Sequence, residues 1–90
     1  MTIRVKVRFL GNIPPRAVEE PYVEVGEGAR VYEVVEVVFE RYGLGSISRR
    51  EDLGWTSGYL KVLWNGREPN PKAVAKDGDE VLIFSPLVGG

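Results

Sequence analysis

Ninety residues allow one domain with a small core and leave little volume for a deep active-site cavity. Twelve Lys and Arg against thirteen Asp and Glu give a net charge of -1, so no long-range field draws the whole molecule onto DNA or an acidic membrane, and a charged partner must meet a local patch. With no Cys and no His, the chain has no thiolate nucleophile, disulfide, imidazole base or usual zinc, copper or haem ligand, which excludes most side-chain catalysis.

The first element is a strand. In Ile3-Arg4-Val5-Lys6-Val7-Arg8-Phe9 the apolar residues alternate strictly with basic ones, which places Ile3, Val5, Val7 and Phe9 on one face and Arg4, Lys6 and Arg8 on the other. Gly11 to Pro15 interrupt it, because the consecutive prolines supply no ladder donors. Tyr22 to Val25 is the predicted hairpin partner. From Val31 to Tyr42 the period changes to 3.6: Val31, Val34, Val35, Val38 and Tyr42 form one stripe, and Glu33, Glu36 and Glu40 lie opposite, as in an amphipathic helix. Gly43 supplies the left-handed exit residue.

Ser46 to Gly58 is polar and shows no sustained period, so a surface loop is expected there. Leu60 to Trp64 reads as a third strand ending at Asn65-Gly66, a dipeptide suited to the positive φ of a tight turn. Pro69 and Pro71 restrict the following stretch, Asp77-Gly78-Asp79 forms another turn, and Glu80 to Phe84 is the last strand. The longest unbroken apolar run is Val81 to Phe84, so neither a membrane span nor a signal segment is expected, and the chain reads as cytoplasmic.

Strand, strand, helix, strand, strand is an α+β order, with one helix packed on one face of a mixed sheet. The helix follows a hairpin and must cross back over the sheet. The compact solution places the first and last strands side by side and parallel in the middle, which is the β-grasp, or ubiquitin-like, arrangement. The expected division is a β-grasp domain over residues 1–84 and a flexible tail over 85–90.

The last fourteen residues carry a resemblance. Asp77-Gly78-Asp79-Glu80-Val81, an apolar strand, and then Ser85-Pro86-Leu87-Val88-Gly89-Gly90 resemble the ending of the MoaD-like small sulfur carriers, the small subunits of molybdopterin synthase and their relatives. The alternating first strand, the helix and the Asn65-Gly66 turn fall where that family has them. Ser85 stands where many members have a proline, and Arg30 stands where a Thr or Ser commonly caps the helix.

The tail residues fit such a role on physical grounds. A carboxylate is inert at neutral pH, and another protein can activate it only if the segment bearing it is slim and extended. Gly89 and Gly90 carry no side chains to obstruct entry, six residues beyond Phe84 reach roughly 20 Å, and Pro86 stiffens the exit from the sheet. The resemblance implies that an E1-like adenylating enzyme uses ATP to adenylate Gly90, and that sulfur then displaces AMP to leave a Gly90 thiocarboxylate. It also implies that the sulfur passes to a cofactor precursor held by the large subunit of molybdopterin synthase. On this reading the chain binds no cofactor or metal, Gly90 is the reacting group, and Pro86, Leu87, Val88 and Gly89 form the tail that presents it. The same tail chemistry would also serve a ubiquitin-like modifier joined to lysines, or a carrier for tRNA thiolation or thiazole synthesis. A protein- or RNA-binding module with an idle tail is the alternative of another class.

Other candidate sites are weaker. Glu33, Glu36 and Glu40 read as a solvated helix face, Asp77, Asp79 and Glu80 lack the spacing of a calcium loop, and Gly26-Glu27-Gly28 lacks the context of a phosphate-binding motif. Alternation places Leu82, Phe84 and Leu63 on the same outer sheet face as Arg4, Lys6 and Arg8, since Val81, Ile83, Val62 and Trp64 are needed inside. Exposed apolar residues ringed by basic ones favour a protein-docking surface over nucleic acid.

Overall fold

The computed structural model describes residues 1–10, 22–44, 48–50, 54–57 and 60–85, with backbone alone for 48–50 and 54–57. Its elements are β1 (Thr2–Leu10), β2 (Tyr22–Gly26), α1 (Val31–Arg41), β3 (Ser48–Arg50), β4 (Gly54–Ser57), β5 (Leu60–Trp64) and β6 (Glu80–Phe84). They form one mixed sheet in the order β2-β1-β6-β5-β4-β3. As expected from sequence, β1 and β6 lie side by side and parallel at its centre, with Lys6 opposite Glu80 and Leu10 opposite Phe84. β2 and β5 flank them as antiparallel neighbours. This is the α+β, β-grasp arrangement, and among the described residues no helix is long and apolar enough to cross a membrane.

The surface loop expected over Ser46 to Gly58 is corrected by the structure. Within that stretch β3 and β4 pair as an antiparallel hairpin, and β4 joins β5 through Thr56 opposite Lys61 and Ser57 opposite Leu60. Short strands at a sheet margin need no apolar alternation, because backbone hydrogen bonds to the neighbouring strand hold them there.

The core is the space between α1 and the sheet. Ile3, Val5 and Val7 of β1, Val23 of β2, Leu60, Val62 and Trp64 of β5, and Val81 and Ile83 of β6 are all buried. From the helix come Val31, Val34, Val35 and Val38, the predicted stripe, together with Phe39, which is 1% exposed and is the largest of the fully buried side chains. Valine is a poor helix former, so packing must supply most of the stability of α1. Tyr42 and Phe9 close one end, their rings edge to face with centroids 5.3 Å apart. At its C-terminus α1 ends in a Schellman motif: Gly43, at φ 66, donates its N–H to Glu40 O, and Leu44 donates to Phe39 O.

The helix N-terminus is capped from a distance. Arg30 stands at the N-cap position, and a guanidinium cannot accept a hydrogen bond. The Val31 and Tyr32 N–H groups instead donate to the carbonyls of Ala73 and Pro71, at 2.8 and 3.2 Å. Arg30 Nη1 donates to Lys72 O, and the Arg30 N–H donates to the Glu33 carboxylate. The loop between β5 and β6 therefore takes up orphan donors that a serine or threonine hydroxyl satisfies in other helices.

Val35 is 0% exposed and faces the sheet. Val35→Asp should bury an unpaired carboxylate and cost about 3 to 5 kcal/mol, comparable with the whole stability of a domain this size. A denaturant titration checks it, and a cooperative transition of unchanged midpoint would contradict the packing described.

Candidate functional site: the C-terminal strand and the open sheet face

The helix covers one side of the sheet, and among the described residues no element covers the other. The strand register places Arg4, Lys6, Arg8 and Leu10 of β1 on that open side, beside Tyr22 and Glu24 of β2 and Glu80, Leu82 and Phe84 of β6. Lys61 and Leu63 of β5 continue it, opposite Phe84 and Leu82 respectively. The burial patterns alternate accordingly, with Leu82, Phe84 and Leu63 half-buried between fully covered Val81, Ile83 and Val62.

At the end of the sheet where β6 finishes, Leu10, Phe84, Leu82 and Leu63 form a contiguous apolar patch. Leu10 is 60% exposed and was not anticipated from sequence, although one more step of the β1 alternation leads to it. Phe84 has a double situation: it lies on the open face and also packs against the core. Ser85 follows, its Oγ shielded from solvent and without a hydrogen-bond partner among the described residues. Pro86, Leu87, Val88, Gly89 and Gly90 lie outside the described residues.

The acidic turn before β6 holds that strand in place. Asp77 Oδ1 accepts the Arg4 N–H at 2.8 Å, the Gly78 N–H donates to Arg4 O, and the Lys6 N–H donates to Asp79 O. These bonds continue the β1–β6 pairing beyond the start of β6. Gly78 sits at φ 90, a conformation that a side chain disfavours. The Asp79 carboxylate accepts three bonds, from Trp64 Nε1 at 3.2 Å, Asn65 Nδ2 at 3.0 Å and the Lys76 N–H at 2.8 Å. Asn65 completes the junction: its N–H donates to Glu80 O, and its Oδ1 accepts the Glu80 N–H.

Asn65 and Gly66 both have positive φ, 52° and 80°, as the predicted turn requires. Asp77 and Asp79 thus serve as hydrogen-bond acceptors for the fold. Among the described residues no group of three or more His, Cys, Asp or Glu could hold a metal ion, and Glu33, Glu36 and Glu40 are exposed on α1. A depression of about 520 Å³, lined in part by Val31, Trp64, Arg67, Val74 and Lys76, lies beside this turn. It is therefore at the end of β6 away from Phe84.

No protein-family model matches the sequence, and no curated protein matches it. Solved structures do. A Pyrococcus furiosus protein described as molybdopterin converting factor, subunit 1, is 28% identical with a TM-score of 0.68, over 94% of this chain and 99% of that one. The HVO 2177 protein of Haloferax volcanii is 26% identical with a TM-score of 0.63, over 99% of this chain and 88% of that one. The small archaeal modifier protein 1 of Methanosarcina acetivorans, at 22% identity and a TM-score of 0.59 over 100% and 99% of the two chains, shares the fold.

Removing the Asp79 acceptor strands the part-buried Trp64 indole N–H and two further donors. Asp79→Ala should therefore cost about 2 kcal/mol. Equilibrium unfolding followed by tryptophan fluorescence measures this. An unchanged midpoint would mean that the three bonds contribute nothing net.

Proposed function

We propose that this chain, a β-grasp protein of the MoaD-like small sulfur-carrier family, carries sulfur as a thiocarboxylate on Gly90 and donates it in the synthesis of molybdopterin. The observation that supports this most directly is the arrangement of β6. The central strand is fixed at its start by Asp77, Asp79 and Asn65, and it ends at Phe84 beside the exposed apolar patch, immediately before Ser85-Pro86-Leu87-Val88-Gly89-Gly90. A rigid strand followed by a short segment that ends in two side-chain-free residues suits a group that must be handed into another protein's active site.

In the chemistry proposed, an oxygen of the Gly90 carboxylate attacks the α-phosphorus of ATP in an E1-like adenylating enzyme, and pyrophosphate leaves. Hydrosulfide supplied by the partner system attacks the acyl carbon, and AMP leaves with the former carboxylate oxygen, so that a thiocarboxylate remains on Gly90. The thiocarboxylate then yields its sulfur to the acceptor bound in the large synthase subunit, and water restores the carboxylate oxygen. The carrier contributes no general acid or base. Leu10, Leu63, Leu82 and Phe84, with Arg4, Lys6 and Arg8 beside them, form the surface that docks on the partners while the tail reaches inward.

A second reading keeps the first step and changes the second: a lysine amine displaces AMP, and an isopeptide bond joins Gly90 to another protein. The fold shared with the archaeal modifier favours keeping it in view. The intact mass of the protein purified from its native cell distinguishes the two. A gain of about 16 Da, sulfur for oxygen, marks the carrier, and a covalent adduct on a lysine marks the modifier.

Two variants test the proposal. One bulky residue appended after Gly90 should block adenylation and leave the melting curve unchanged, and adenylation at the normal rate would refute chemistry at the Gly90 carboxylate. Phe84→Ala should weaken partner binding by about 2 kcal/mol, as removal of an aromatic anchor does. Because Phe84 is only half-buried, the same change should cost about 1 to 2 kcal/mol of stability, less than a core truncation. Binding titration and denaturation of one sample read both quantities, and unchanged affinity would remove Phe84 from the docking surface.

A further inference from the structure

The basic side chains of the open sheet face are not equivalent. Arg4 is occupied within the molecule: its Nε lies 3.5 Å from Glu24 Oε1, and its guanidinium carbon stands 4.7 Å from the centroid of the Tyr22 ring. Arg8 Nη1 lies 3.6 Å from Glu80 Oε1. Lys6 and Lys61 have no carboxylate partner among the described residues. Glu80, which the register sets opposite Lys6, is the carboxylate beside Arg8.

The register also sets their separation. Lys6 is level with Glu80 and Lys61 with Phe84, so two interstrand steps and four residues along the strands lie between them. At roughly 4.8 Å per step and 3.3 Å per residue, the Cα atoms are about 16 Å apart. Leu82 falls midway along that diagonal, between Leu63 and Arg8 on the neighbouring strands.

We infer that the protein surface covering this face is acidic at two points about 16 Å apart, on either side of an apolar contact with Leu82, and that Lys6 and Lys61 select it. The inference rests on the reading of this face as the docking surface and adds the charge of the partner. Arg4 and Arg8 must share or break an ion pair to receive a partner carboxylate. Lys6 and Lys61 give up only hydration, and a partner with cations at those points meets like charge. A protein fits better than a nucleic acid, because Glu24 and Glu80 on the same face repel phosphates and the two aromatic rings there are engaged within the molecule, Tyr22 beneath the Arg4 guanidinium and Phe84 against the core.

The test is charge reversal with a matched control. Lys6→Glu and Lys61→Glu are compared with Lys72→Glu, which changes the net charge equally at an exposed site on the loop that caps α1. The probe is the purified E1-like adenylating enzyme encoded by the same genome, with pyrophosphate release as the readout. Each sheet variant should raise KM about tenfold at about 50 mM salt with kcat unchanged, and the difference should close to within about twofold near 1 M salt, where the screening length is about 3 Å. Lys72→Glu should match the unaltered chain.

An equal loss in Lys72→Glu, or an unchanged KM in both sheet variants, would overturn the inference and leave the tail chemistry standing. No pyrophosphate release from the unaltered chain would overturn the sulfur-carrier reading and the inference with it. Binding of a single-stranded RNA of about 20 nucleotides, lost in Lys61→Glu, would replace the acidic protein partner by nucleic acid. Should Lys61→Glu fail to fold, Lys61→Gln gives the same reading with a KM rise of about threefold.

Discussion

The parallel pairing of β1 with β6 is the constraint on which the rest of the molecule depends. Without β6 the sheet falls into two parts, β2-β1 and β5-β4-β3, with no hydrogen-bonded connection between them. The residues flanking that pairing show how firmly it is held. Asp77 and Gly78 bind both backbone groups of Arg4, the carbonyl of Asp79 binds Lys6, and Asn65 ties the beginning of β6 to the turn after β5. A parallel pair cannot be joined by a tight turn, so backbone and side-chain groups of the turn before β6 supply the fixation that a hairpin turn provides elsewhere in the sheet.

The helix depends on the same assembly. Its valines contribute little intrinsic helicity, and its first N–H groups are satisfied by carbonyls of the loop that leads to β6. Burial of Val31, Val34, Val35, Val38 and Phe39 against the covered face of the sheet, together with that remote cap, makes helix and sheet a single cooperative unit. On the open face, Phe84 contributes to both sides of the sheet.

Much of this was legible in the sequence, where one face of an element is buried and the period shows it. The alternation of Ile3 to Phe9, the stripe of α1, the Asn65-Gly66 turn and the bounds of β5 and β6 follow from such patterns, and so does the outward placement of Leu82, Phe84 and Leu63. The hairpin β3–β4 was not legible, because Ser48-Arg49-Arg50 and Gly54-Trp55-Thr56-Ser57 carry no alternating apolar signal and owe their position to pairing with β5. Phe39 lies on the buried stripe four residues after Val35, a spacing the sequence contains. The function of Asp77 and Asp79 was readable as a motif and not as a mechanism, since their partners Arg4 and Trp64 are distant in the chain. Which cations on the open face are already paired could not be read either, since pairing is a property of register and rotamer.

The central position of β6 has a consequence for folding order. Its partner β1 lies more than seventy positions earlier, and Arg4 and Asp77 alone are 73 residues apart. Every route to the native sheet must close that long loop before the middle strands can pair, so the domain has high contact order for its size and no half-sheet that is native by itself. β6 is thus synthesised after every other strand of the described sheet and is indispensable to its closure. A chain interrupted upstream of it cannot form the continuous sheet on which Leu10, Leu63, Leu82 and Phe84 are brought together, and in this way the topology couples assembly of that face to completion of the fold.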